Sequence, residues 1–188
     1  MIWRAIAVAC ATVAAGGAVA ETPLPFDVGG PYALVDHFGR PHTQADPAGN
    51  AQLLFFGYAN CPGICSAALP MMGEVTDILG ARGITVQPVM ITVDPARDTV
   101  DTMAAPLSEI HPALLGLTGT PEALAAAYEA FSVDHALAYE DPEYGPVYSH
   151  GSLIYLMDAE GDVLTLLPPV LEGRQAADIA LKYLSAQD

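Results

Sequence analysis

Hydrophobic positions follow two rhythms along this chain. Leu53-Leu-Phe-Phe-Gly-Tyr58 is an unbroken apolar run of strand length, which suits a strand buried on both faces. Ile84 to Val93 has the same character, with Pro88 pointing to a bulge or a weakened strand. Between them Leu69, Met72, Val75 and Leu79 recur at helical spacing, predicting a helix over Cys61–Leu79 with Asn60 as its candidate cap. Pro70 within it calls for a kink or a late start. Thr99–His111 reads as a helix and Leu114–Leu117 as a short strand. Pro121–Phe131 reads as a helix capped by Thr120, with its proline in the first turn. Ser152–Met157 and Asp162–Leu167 form two strands about a glycine-containing turn. Arg174–Ser185 is an amphipathic helix with Ala177, Leu181 and Leu184 inward. Tyr32–Arg40 reads as a short hairpin turning over Asp36–Gly39. The succession predicts an α/β fold: a mixed central sheet flanked by helices, with an N-terminal hairpin extension. The cysteine pair leaves the end of a central strand, where open α/β sheets place ligand chemistry.

The N-terminus departs from this pattern. Met-Ile-Trp-Arg precedes an uncharged run from Ala5 to Ala20, ending Ala-Val-Ala before Glu21. That is the pattern of a secretory signal peptide over residues 1–20. An uncleaved membrane anchor is the alternative, although the run falls short of the roughly 20 residues that span a bilayer. Cys10 lies inside the run, but Ala7 stands where a lipoprotein signal carries a bulkier residue. Pro- and Gly-rich residues 21–30 read as a tether, leaving the domain proper at 31–188. The expected location is outside the cytosol: in a bacterium, the periplasm, soluble or tethered to the inner membrane by this segment.

Charge narrows the partners. Of 188 residues 22 are acidic and 6 basic, a net charge of −16. No basic face is available to neutralise phosphates, which excludes nucleic acid, and the same charge opposes adhesion to an anionic membrane. Hydrophobic residues make up 52% of the chain, enough for a core that needs no disulfide framework.

Two cysteines, Cys61 and Cys65, remain beyond the signal segment. A bridge closing so short a loop removes little unfolded-state entropy, so the pair is chemical rather than architectural. Cys61-Pro-Gly-Ile-Cys65 sits at a strand-to-helix junction, where one helical turn brings both sulfurs within reach of a disulfide or of one soft metal ion. The helix N-terminus favours the thiolate form. Spacing alone leaves redox and metal chemistry open. A metal wants a third ligand, and His150 stands out among five histidines. It immediately precedes the strand Ser152–Met157, which can neighbour the strand feeding Cys61, and Gly151 beside it permits close backbone approach. His37, His42, His111 and His135 lack ligand spacing and read as structural or solvated. Met71 and Met72, at helical spacing, read as core rather than thioether ligands. The acidic run Asp134–Glu143 reads as a solvated loop, with docking of a basic partner as the alternative.

Four segments together carry a resemblance. Phe56-Gly-Tyr-Ala-Asn-Cys-Pro-Gly-Ile-Cys65, Val93-Asp-Pro-Ala-Arg-Asp-Thr99, Gly116-Leu-Thr-Gly-Thr-Pro121, and His150 ahead of Leu-Ile-Tyr-Leu resemble the Sco/SenC family, over roughly Phe26 to Leu184. The resemblance implies a thioredoxin-like copper chaperone of cytochrome c oxidase assembly. It implies that Cys61, Cys65 and His150 hold one copper ion, as Cu(I) or Cu(II), and that Cys61 and Cys65 form a redox disulfide. Asp94, Arg97 and Asp98 fall in the family's supporting loop. The implied partner is the copper-bearing subunit of the oxidase, with another periplasmic copper donor or a thioredoxin-like reductant as further partners. Gly63, Ser66 and Ser149 stand where the family often has Asp, Pro and Asp, which alters the hydrogen bonds and charge that tune a metal ligand. The alternative function is a thiol–disulfide oxidoreductase, which needs both cysteines and no imidazole. A peroxidase would need a peroxidatic cysteine with an activating arginine, for which the sequence offers no clear case.

Overall fold

The computed structural model describes residues 24–186, so the expected signal segment lies outside the described residues. Residues 24–30 approach the domain as coil, and their far end packs on it: Gly29 N–H donates to the Ala130 carbonyl at 2.8 Å. The predicted hairpin follows as β1 (Ala33–Asp36) and β2 (Pro41–Thr43). Its turn is held by the Asp36 carboxylate, which accepts from the backbone N–H groups of Phe38 and Arg40. Next come β3 (Ala51–Gly57), α1 (Cys65–Gly80), β4 (Val86–Thr92), α2 (Val100–Ile110), β5 (Leu115–Thr118) and α3 (Pro121–Ala130). The chain ends with β6 (Ala136–Asp141), β7 (Gly145–Ser149), β8 (Ile154–Met157), β9 (Val163–Leu167) and α4 (Gly173–Leu184).

Seven strands form one mixed sheet in the order β2-β1-β5-β4-β3-β8-β9, with β3, β4 and β5 parallel and the remaining pairings antiparallel. The apolar run of β3 is central, and its period-two alternation serves two cores. Leu53 and Phe55 pack with α1, α4 and α2 residues on one face. Leu54 and Phe56 pack with Leu124, Tyr128 and Phe131 from α3 and its end on the other. Each such side chain contributes roughly 1.5–3 kcal/mol of burial. The fold is the thioredoxin-like mixed α/β arrangement expected, and among the described residues no helix is long and apolar enough to cross a membrane.

Local departures have local causes. Helix α1 begins at Cys65, and Asn60 does not cap it: the N-cap is Ile64, with no side-chain cap. Cys61 precedes Pro62, whose ring pushes it out of the α region, and Gly63 adds the entropy cost of a helical glycine. The helix therefore starts late. Pro88 lies inside β4 without a bulge, paired opposite Leu53. Pairing with β5 begins only at Val89, and the Gln87 side chain donates to the Ala113 carbonyl at the vacated end of that ladder. In α4 the fully buried positions are Ala176, Ala177 and Ala180, while Leu181 and Leu184 are only half-buried. The acidic run is no loop: β6 and β7 pair as a separate two-stranded sheet.

Candidate metal centre

Two arms meet at the carboxyl end of β3. The first is the β3–α1 connection. Gly57 ends the strand and Tyr58 follows it, Cys61 N–H donates to the Tyr58 carbonyl at 3.3 Å, and α1 opens with Cys65 buried against the core. The second arm is β7, which runs directly into His150 before the chain enters β8. Because β8 pairs antiparallel with β3, the histidine arrives at the same sheet end as the cysteines. The Cys61 Sγ, Cys65 Sγ and His150 ring-nitrogen donors all lie within 4.8 Å of one another. His150 Nε2 is 3.5 Å from Cys65 Sγ and 3.9 Å from Cys61 Sγ. The cluster holds no other His, Cys, Asp or Glu among the described residues.

The ring orientation of His150 follows from one hydrogen bond. Its Nδ1 lies 2.9 Å from the Gly151 carbonyl oxygen, which can only accept, so Nδ1 carries the proton. Nε2 is thus the nitrogen facing the sulfurs: unprotonated it is a ligand, and protonated it donates to a thiolate. Phe55 and Tyr58 meet the imidazole edge-on at 5.6 and 5.9 Å between ring centroids and fix its tilt. Gly151 is not there for close approach, since a Cβ on it would meet open space. The glycine that matters is Gly57, where a Cβ would lie 2.7 Å from the Phe55 ring and 3.0 Å from Cys65 Sγ.

The two thiols are not equivalent. The Cys65 thiol donates to Cys61 Sγ and His150 stands beside it, which brings Cys61 down to about 4 against the opposing effect of burial. Cys65 goes the other way: the hydrogen bond to Cys61 and deep burial push it up, and the expected help from the helix N-terminus does not prevail. The pair holds one proton and gives up the first readily. Burial, with the charge of Cys61 beside it, holds the Tyr58 phenol at about 12, and its oxygen accepts from Tyr148 N–H at 3.3 Å.

The loop Asp94–Asp98 joins the two arms without entering the cluster. Asp98 Oδ2 accepts from Ala59 N–H at 3.0 Å, at the start of the cysteine connection, and from the Thr92 hydroxyl at 2.8 Å. Arg97 forms an ion pair with buried Asp94 and donates to the Tyr144 carbonyl and, at 2.7 Å, to the Pro146 carbonyl of the histidine arm. The remaining histidines lie elsewhere. His37 Nδ1 accepts from Gly116 N–H, His42 stacks on Tyr32, His111 meets Asp77 and His135 meets Tyr128. Met71 and Met72 are core residues. The residues missed in the sequence are Gly57, Phe55 and Tyr58. A glycine closing a buried apolar strand signals a close approach, whereas nothing in one sequence announces the aromatic wall.

Fold and site together define a thioredoxin-like domain with a two-sulfur, one-imidazole cluster at the end of its central strand. The chain matches SCO1/SenC over residues 20–185 and belongs to that family. It is 35% identical over 159 residues to the mitochondrial SCO2 homolog of Bos taurus, covering 84% of this chain and 60% of that protein. It is 36% identical over 140 residues to an SCO2-like protein of Rickettsia felis, covering 73% of this chain and 67% of that one. Among solved structures, Arabidopsis thaliana ScoI with copper bound superimposes with a TM-score of 0.78 at 30% identity, over 84% of this chain and 98% of that one. The chain thus spans about 60% of the length of the bovine relative.

Proposed function

We propose that this protein binds one copper ion through Cys61, Cys65 and His150 and delivers it to the dinuclear copper site of cytochrome c oxidase during assembly. The observation that carries the reading is the meeting of two sulfurs and one imidazole nitrogen within 4.8 Å, with the histidine's proton committed to Nδ1. Thiolates suit Cu(I), and an imidazole extends the site to Cu(II). Three ligands from one chain leave a position through which an acceptor's ligand enters and takes the ion. The copper-bound Arabidopsis relative supports the choice of metal. Asp94, Arg97 and Asp98 serve as the supporting loop. The partner is the copper-bearing oxidase subunit, supplied by a second copper donor or kept reduced by a thioredoxin-like reductant. Residues 1–20 export the chain, to the periplasm if the host is a bacterium.

A second reading, thiol–disulfide exchange by the same cysteines, is favoured by the low value of Cys61, which supplies a thiolate at neutral pH. Copper and a Cys61–Cys65 disulfide exclude each other, so the two activities compete for one reduced pair. Copper titration of the reduced chain, with Cys61→Ala, Cys65→Ala and His150→Ala alongside, separates the readings. The expected result is one copper per chain and a thiolate-to-Cu(II) absorption band that is lost or altered in every variant. A reduced protein that turns over disulfides and holds no copper would establish the exchange reading instead.

A further inference from the structure

One side chain outside the ligand set touches both arms of the centre and the loop that joins them. Tyr58 stands between the end of β3 and Cys61 and is 1% exposed. Its phenolic oxygen accepts from the N–H of Tyr148, two residues before His150, at 3.3 Å. Among the described residues, and apart from the ligand atoms themselves, no other hydrogen bond runs directly from residues 58–64 to residues 142–150. The Tyr58 ring meets those of Tyr148 and His150 edge-on, at 5.8 and 5.9 Å between centroids. The Arg97 guanidinium lies over the same ring at 5.7 Å, and that arginine also holds the Pro146 carbonyl. The β6–β7 ladder slips register between Leu137 and Tyr139, opposite Tyr148 and Val147, so the hairpin's own pairing is interrupted where Tyr58 takes hold. Other buried tyrosines spend their hydroxyls on core carbonyls: Tyr128 donates to Thr92 and Tyr155 to Phe131. Tyr58 instead accepts, and from the segment that carries a ligand.

We propose that Tyr58 is a positioning residue of the centre: its hydroxyl pins the histidine arm to the cysteine arm and so sets how firmly the imidazole grips the ion, the two sulfurs being held independently. The proposal rests on the copper-binding reading. Thiolates suit Cu(I), whereas the imidazole is the ligand that extends the site to Cu(II). A side chain that acts on the imidazole alone therefore acts on one oxidation state more than on the other. Holding the arm in place before the ion arrives removes the ordering cost of closing it on the metal, and that saving is largest for the state that needs the nitrogen. Groups that orient a ligand from outside are worth about 10–100-fold in metal affinity. Tyr58 thereby biases the site toward Cu(II) and lowers the reduction potential of the bound copper.

The test is Tyr58→Phe in the full chain, which keeps the ring and removes the oxygen. Cu(II) and Cu(I) affinities of the reduced protein are measured anaerobically by competition with chelators. Cu(II) affinity is expected to fall about tenfold, with Cu(I) affinity changed by less than about twofold. The potential of the bound copper then rises by about 59 mV for each tenfold of that difference. Amide exchange at Tyr148 in the copper-free chain should quicken, since its acceptor is gone. Tyr155→Phe removes a buried hydroxyl bonded to the Phe131 carbonyl; it controls for lost stability and should leave the ratio of the two affinities as in wild type. The proposal is overturned if both affinities fall together in Tyr58→Phe, if neither falls, or if Tyr155→Phe shifts the ratio equally. Unchanged exchange at Tyr148 overturns the clamp whether or not copper binds. A wild-type chain that holds no copper in either state overturns the copper reading instead.

Discussion

The two arms of the centre are held in opposite ways. The cysteine arm grows out of the molecule's interior: β3 is paired on both sides and Cys65 is buried at the first turn of α1. The histidine arm is the end of a two-stranded hairpin outside the main sheet, tied down by Arg97, by Tyr148 N–H on the Tyr58 oxygen, and by ring edges. On the proposed function, soft ligands on a fixed frame and a borderline ligand on a tethered frame suit a site that both holds and releases an ion. Rigid elements preserve the sulfur geometry, while an element with few buried contacts opens at low free-energy cost.

Substitutions can break this contrast arm by arm. The largest effect is expected from the ligands, through the copper titration above. Next is Arg97→Ala, which leaves Asp94 buried without its counter-charge and should cost about 3 kcal/mol in denaturant unfolding. Adding Asp94→Asn should recover part of that stability, yet hydrogen exchange in residues 136–149 should stay fast, because the Tyr144 and Pro146 carbonyls still lack their donor. Full recovery of slow exchange would show that Arg97 acts only through Asp94. Gly57→Ala probes the rigid arm: its Cβ would press on Phe55 and the Cys65 sulfur, destabilising by about 1–3 kcal/mol and weakening copper binding. Unchanged affinity would mean that the frame around the sulfurs yields.

The smallest effect is pH-dependent. Burial raises the Asp98 carboxyl above its ordinary range, so the folded protein binds that proton more tightly than the unfolded chain does. Its contribution is fully present below the unfolded value of about 3.9 and is lost as pH rises through the folded value. Asp98→Asn keeps an acceptor for Ala59 N–H and removes the titration. Its stability relative to wild type should therefore improve as pH rises from about 4 through the folded value. A pH-independent difference between the two would contradict this assignment.

The contrast also explains what could be read in advance. The rigid arm was legible because burial imposes pattern: the apolar run became β3, the helical spacing became α1, and the strand after His150 fell beside β3. The tethered arm was not. Residues 134–143 carry no apolar period because hardly any of them touches a core, and a β-hairpin held largely by its own ladder and by Arg97 leaves no trace in hydrophobicity. The start of α1 was misplaced because helical periodicity beyond Leu69 outweighed the local effects of Pro62 and Gly63. The acid–base inequality of the sulfurs was equally hidden, since it depends on which thiol donates to the other and on which lies deeper.

X-ray absorption at the copper edge of the loaded full chain, beside His150→Ala, tests the joining of the two arms most directly. The account predicts two sulfur neighbours and one imidazole in wild type, with the imidazole signal gone and both sulfurs retained in the variant. A wild-type spectrum with sulfur alone, or an imidazole signal that survives the substitution, would contradict it.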